Sequence, residues 1–189
     1  MPRKGLFARV IHGGTVRSGD AGRWEPRPFR AAVLTLSDRA HAGEYEDRSG
    51  PRVQEHLVDH FGATRWHLET AVTVLPDDAE LLREALVRLR DDGVDLVIAT
   101  GGTGVGPRDV TPDVVTELAD KLIPGIMDAI RLKYGADKPN ALLSRSVAAV
   151  LGGSLVYALP GSVRAVDEYM VEILKTTEHL VKMLHGIGH

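Results

Sequence analysis

Thr100-Gly101-Gly102-Thr103-Gly104-Val105-Gly106 places four glycines within seven residues and runs straight into Pro107-Arg108-Asp109. Glycine takes positive φ without a Cβ penalty, so such a loop can turn several backbone N–H groups toward one anion. A helix opening at Thr111-Pro112, with Thr111 as N-cap and proline in the first turn, would add its dipole. That term is about 0.3–1 kcal/mol for an exposed anion. The same residues would also make a tight strand-to-helix turn with no ligand. No Gly-Lys-Ser/Thr follows, and the spacing is not G-x-G-x-x-G, so the Walker and dinucleotide fingerprints are both absent.

Charged neighbours sharpen the reading. Arg108 has the geometry to grip a phosphate, whereas Asp109 beside phosphates is repelled unless a cation intervenes. Mg²⁺ takes one or two protein carboxylates together with phosphate oxygens and water, and Asp77 is the candidate second carboxylate. On local sequence Asp77 also fits a helix N-cap, with Glu80 completing a capping box. Asp95 precedes an apolar run and reads as a strand-edge hydrogen-bonding group. Ser162 after Pro160-Gly161 reads alone as a helix cap, and Arg145 after Ser144 as a surface residue. His56 and His60 stand at i and i+4 without the glutamate of a zincin helix, which predicts a solvated helix face. No Ser-His-Asp set can be assembled. Residue chemistry therefore ends at a phosphate ligand accompanied by a divalent cation.

These groups need a frame that brings them together. Ala31 to Leu36, Val72 to Leu75 and Asp95 to Thr100 are short apolar runs suited to buried parallel strands. Ser146 to Leu151 and Ser154 to Leu159 read as two late strands across Gly152-Gly153. Helices are predicted from Ser49 with Val53, Leu57 and Val58 inward, and after Pro76 with Leu81, Leu82, Ala85, Leu86 and Leu89 inward. Others open at Thr111, at Pro124 with Ile126, Met127 and Ile130 inward, and after Ser162, the last reaching Leu184. Strands alternating with helices predict an α/β fold: three layers, α/β/α, around a mostly parallel sheet. In such sheets ligands bind at the strands' carboxyl ends. Ser37-Asp38-Arg39, Pro76-Asp77, the glycine loop and Pro160-Gly161-Ser162 each follow a strand. Residues 1–29, rich in glycine and weak in periodicity, read as an extension or linker before a domain spanning 30–189.

The chain of 189 residues fits one domain. Its net charge of −3 gives no basic stripe for nucleic acid, and aromatic platforms are lacking. No apolar run is long enough to span a membrane. No apolar segment follows the charged start, and cysteine is absent, which fits a reducing, cytoplasmic setting.

At these residues the chain resembles the molybdopterin adenylyltransferases, a family that includes MogA, MoaB and the G domains of gephyrin and its plant counterpart. The resemblance runs through Leu36-Ser37-Asp38-Arg39-Ala40, Asp47-Arg48-Ser49-Gly50-Pro51, Pro76-Asp77 and Thr100 to Gly104. It continues through Pro107 to Pro112, Pro124-Gly125, Leu143-Ser144-Arg145 and Leu159 to Ser162. It implies a homotrimer, Mg²⁺-dependent transfer of AMP from ATP to the terminal phosphate of molybdopterin, and release of pyrophosphate. Asp77 and Asp109 would be the catalytic and metal-holding residues. Gly101, Gly102, Thr103, Gly104, Pro160, Gly161 and Ser162 would bind the nucleotide. Ser37, Asp38, Arg39, Ser144 and Arg145 would bind molybdopterin. A downstream molybdenum insertase is the implied partner. Ser37 to Ala40 with Gly43 and Tyr45 is similar to the MogA type, and Asp47 to Pro51 to MoaB and the plant version. The alternative is a non-catalytic pterin-binding or scaffold protein on the same fold. Gly5 to Asp20 resembles the end of a MOSC domain, as a remnant of a fusion.

Overall fold

Strand burial distinguishes the middle of a sheet from its edge. β3 (Leu96–Thr100) and β6 (Ser154–Leu159) are buried at every position, whereas β2 (Leu68–Leu75) alternates between half-buried and exposed residues along most of its length. The computed structural model describes residues 13–21, 27–64 and 66–186. Within them β2 is one edge of a six-stranded sheet ordered β2-β1-β3-β6-β5-β4, with β1 Phe29–Leu36, β5 Val147–Leu151 and β4 Lys121–Leu122. β2, β1, β3 and β6 are parallel; β5 and β4 are antiparallel to their neighbours. The sheet is mostly parallel, as the alternating pattern predicts. β4 was not predicted, since two residues carry no period.

Register aligns the functional ends. Leu36 lies opposite Leu75, Thr35 opposite Thr100, and Thr100 opposite Leu159. Ser37, Pro76, Gly101 and Pro160 therefore leave the sheet side by side, although they are far apart in sequence.

The period of two sends alternate residues to opposite faces. Val33, Ile98 and Tyr157 face one core with α2 (Ser49–Gly62), α5 (Pro124–Gly135) and α6 (Val163–Leu184). Leu34, Ala99 and Ala158 face the other, under α3 (Ala79–Asp91) and α4 (Thr111–Leu118). That gives the three layers expected. Leu57 and Ile98 are fully buried; truncating such a side chain to alanine costs about 2–5 kcal/mol.

Three helix details differ from expectation. On α2 the buried row is Val53, Leu57 and Phe61, spaced by four, and Val58 turns outward. On α3 Leu81 is likewise exposed, leaving Leu82, Ala85 and Leu86 inward. His56 and His60 face α6 rather than solvent. Nε2 of His56 lies 2.7 Å from Asp167 Oδ1, and Nε2 of His60 lies 3.7 Å from Glu178 Oε1.

Asp95 meets its expected role at the start of β3. Its carboxylate is 2% exposed, accepts from the Arg30 amide at 2.9 Å and pairs with Arg27 at 2.8 Å. Residues 13–21 carry no helix or strand. The first part of the MOSC-like stretch, 5–12, lies outside the described residues.

Candidate active site

The glycine loop is fixed by backbone contacts that exclude side chains. Gly101 has φ +105°, and a Cβ there would stand 2.3 Å from the Leu36 carbonyl oxygen. Its amide donates to the Leu159 carbonyl at 3.0 Å, and the Thr100 hydroxyl donates to the Pro160 carbonyl at 3.1 Å. Thus β1, β3 and β6 are stitched together where their loops begin. Thr111 opens α4 but does not cap it, contrary to expectation. Its hydroxyl donates to the Gly101 carbonyl at 2.8 Å, so it holds the loop instead.

Asp77 is released from the capping role by its neighbour. Oδ1 of Asp78 accepts from the amides of Glu80 and Leu81, both at 2.9 Å, and so caps α3. Asp77 turns toward the glycine loop; a Cβ on Gly102 would lie 3.7 Å from its Oδ1. Burial, and then the negative charge of Asp109, push the Asp77 carboxyl above the usual carboxylate range. Oδ2 of Asp109 accepts from the Gly106 amide at 2.8 Å, which orients the side chain and leaves other lone pairs available. Among the described residues, no cluster of three or more His, Asp or Glu side chains is arranged to hold a metal ion. Asp77 and Asp109 lie close enough for their charges to act on one another, and Mg²⁺ bound to phosphates takes one or two protein carboxylates.

The other predicted residues divide between roles. Asp38 accepts from the Asp77 amide at 3.0 Å and pairs with Arg108 across the loops. Ser37 caps α1 (Asp38–His41), and Arg39 stacks over Tyr45. Ser162 caps α6, accepting from the Ala165 amide at 3.2 Å. Arg145 is more than a surface residue. Its Nε donates to the Gly104 carbonyl at 2.7 Å, Nη2 donates to the Asp109 carbonyl, and Nη1 meets Asp113 at 2.7 Å. It clamps the glycine loop to the Asp109 turn.

Two cavities flank the Pro160-Gly161-Ser162 turn. One of about 390 Å³ is lined by Thr103, Gly104, Ser144, Pro160 and Ser162 with residues of α6. The other, about 340 Å³, is lined by Ser37, Tyr45, Arg48, Ser49 and Gly161 and again by Ser162. Ser144 and Ser37, grouped by resemblance at one ligand, therefore line different cavities. The turn packs closely on the glycine loop: a Cβ on Gly161 would lie 3.1 Å from Gly101 Cα. The site prediction omitted Lys138, Arg164, Glu168 and Tyr169 of the first cavity. The i, i+3, i+4 spacing of Ala165, Glu168 and Tyr169 was the available signal.

Comparison with known proteins gives the family. The family described as "Probable molybdopterin binding domain" matches residues 32–179. A molybdenum cofactor biosynthesis bifunctional protein of Synechococcus elongatus is 40% identical over 84% of the chain, which spans about half (48%) of that relative. A molybdopterin adenylyltransferase of Helicobacter pylori is 33% identical, covering 82% of this chain and 86% of its own. A solved MogA structure superposes with a TM-score of 0.75 at 33% identity, covering 82% of this chain and 99% of that one. These matches show that the chain belongs to the molybdopterin-binding family that contains the molybdopterin adenylyltransferases.

Proposed function

We propose that the chain transfers AMP from ATP to the terminal phosphate of molybdopterin. A phosphate oxygen of molybdopterin attacks the α-phosphorus; the new P–O bond forms as the bond to the bridging oxygen breaks, and pyrophosphate departs. The carrying observation is that Asp77 and Asp109 stand at the glycine loop, within range of one another's charge, beside two cavities that flank the Pro160-Gly161-Ser162 turn. No protein nucleophile is needed, because both reactants are phosphates and the barrier lies in alignment and charge. Two acidic side chains beside a phosphate-binding loop suit Mg²⁺, which takes one or two carboxylates along with phosphate oxygens. When bound, Mg²⁺ would neutralise phosphate charge. Asp77 and Asp109 would hold it, the glycine-loop amides would orient the phosphate chain, and Arg145 would keep the loop in place.

Assembly as a homotrimer belongs to the same reading, and exposed apolar side chains offer surface for contact between copies. Leu132 of α5 is 70% exposed, and Leu142 and Leu143 of the following 3-10 turn (Pro139–Leu143) are also exposed. On this reading the chain would work in the cytoplasm, ahead of a molybdenum insertase.

Incubation with molybdopterin and Mg-ATP should release pyrophosphate in step with adenylylated pterin. Tight pterin binding without pyrophosphate would select the non-catalytic scaffold instead.

A further inference from the structure

The cavity beside Ser144 contains a charged group that neither the glycine loop nor the aspartate pair explains. Glu168 stands on the second turn of α6 and is only 17% exposed. Its Oε1 meets Nζ of Lys138, and Nε of Arg164 at 3.2 Å. Among the described residues Oε2 has no hydrogen-bond partner. Two cations offset the charge of the carboxylate and fix its direction, yet half of its accepting capacity is unused. Arg164 is 72% exposed, so it can yield its place on Oε1 at little cost.

A carboxylate recognises a planar fork of two N–H donors. The 2-amino-4-oxopyrimidine ring of a pterin presents such a fork, from its ring N–H and its exocyclic amino group. Adenine pairs one amino donor with a ring acceptor, which would turn a lone pair toward the carboxylate. The second cavity has no equivalent acceptor to offer, because its acid is already occupied. Asp47 Oδ1 accepts from the Ser49 amide and hydroxyl at 3.0 Å and from the Gly50 amide at 3.1 Å, while Oδ2 accepts from Thr35 at 2.8 Å. The first cavity also ends at Ser144 and Gly104, where a phosphate tail would meet the glycine loop.

We propose that Glu168 reads the amino-oxo edge of a pterin held in the cavity beside Ser144 and sets that cavity's preference over adenine. Lys138 is a positioning residue that aims the carboxylate. The proposal rests on the function proposed above.

The test is fluorescence titration of the full chain with free pterin and with lumazine, its 2,4-dioxo counterpart, which lacks the amino donor. Wild type should prefer pterin by about tenfold or more, the scale of a hydrogen bond to a charged group. Glu168→Gln should bring the ratio toward one. Glu168→Asp, which keeps the charge but shortens the reach, should lie between them, and it decides the matter if the glutamine variant fails to fold. A Glu168→Gln protein with the wild-type ratio, or a wild type indifferent to the amino group, overturns the assignment. Pyrophosphate release with an unmoved ratio sinks this inference alone. A collapsed ratio without pyrophosphate supports the assignment of Glu168 and sinks the transferase reading.

Discussion

Asp77 and Asp38 hold one another through exchanged backbone bonds. The Asp77 amide donates to Asp38 Oδ1 at 3.0 Å, and the Asp38 amide donates to Asp77 Oδ2 at 3.2 Å. This clasp joins the ends of β1 and β2 and uses one oxygen of each carboxylate. Oδ1 of Asp77 is left toward Gly102, and Asp38 turns its other oxygen to Arg108. The pair is therefore both a brace for the loops and the source of a free ligand atom.

That arrangement separates activity from stability at Asp77. Asp77→Asn and Asp109→Asn should each lower pyrophosphate release by about 100-fold or more, as for loss of a group that acts on transition-state charge. The Asp77 carboxyl is raised in the folded state by burial and by Asp109. Its favourable contribution is full below the unfolded value near 3.8 and is lost as pH rises through the folded value. At pH 7 Asp77→Asn should then melt at or above the wild-type temperature, with the advantage shrinking toward pH 4. A clear loss of melting temperature at pH 7 would contradict this.

Arg145 should tolerate no conservative exchange. Lysine keeps the charge but cannot reach the Gly104 and Asp109 carbonyls and Asp113 from one planar group. Arg145→Lys should cut kcat/KM by about tenfold or more while unfolding changes by only about 1 kcal/mol. Steady-state kinetics beside thermal melts would show the split.

Two glycine substitutions should have opposite signs. Gly101→Ala forces a Cβ against the Leu36 carbonyl at a φ of +105°, and should cost more than about 2 kcal/mol. Gly125 in the first turn of α5 has nothing within 4 Å of its would-be Cβ. Gly125→Ala should be neutral or stabilising, by about 0.5 kcal/mol. Denaturant titration of both variants tests the pair, and equal effects would refute the steric account.

Between α2 and α6, His56 and then Arg52 hold the Asp167 carboxyl below its ordinary range. A lowered acid contributes stability above its unfolded value, near 3.8, and loses it as pH falls through the folded value. Asp167→Asn should therefore be less stable than wild type at pH 7, by at most about 1 kcal/mol since the side chain is partly exposed. The difference should vanish well below pH 4. Melting curves across that range provide the check.

The sheet was legible because its central strands are apolar runs bounded by glycine, proline and serine, and because each candidate loop follows one of them. The helix faces are legible only to within one residue: Leu57, four positions from Val53, lies in the buried row, whereas Val58, one step further round the helix, is exposed. Asp77 and Asp78 are equivalent in sequence, and only the turn after Pro76 decides which one caps α3. His56 meets Asp167 across 111 residues of chain, a pairing that no local period reports. Glu168 was missed for a related reason. It sits on a helix whose amphipathic pattern accounts for it as surface until β6 sets the helix against the cavity.

The contact between Gly161 and Gly101 has a thermal consequence. A contact made through side chains changes width as rotamers exchange. Here the two strands of main chain touch with no side atom between them, so their separation follows from covalent geometry and strand register. The distance between the glycine loop and the Pro160-Gly161-Ser162 turn should therefore drift little with temperature.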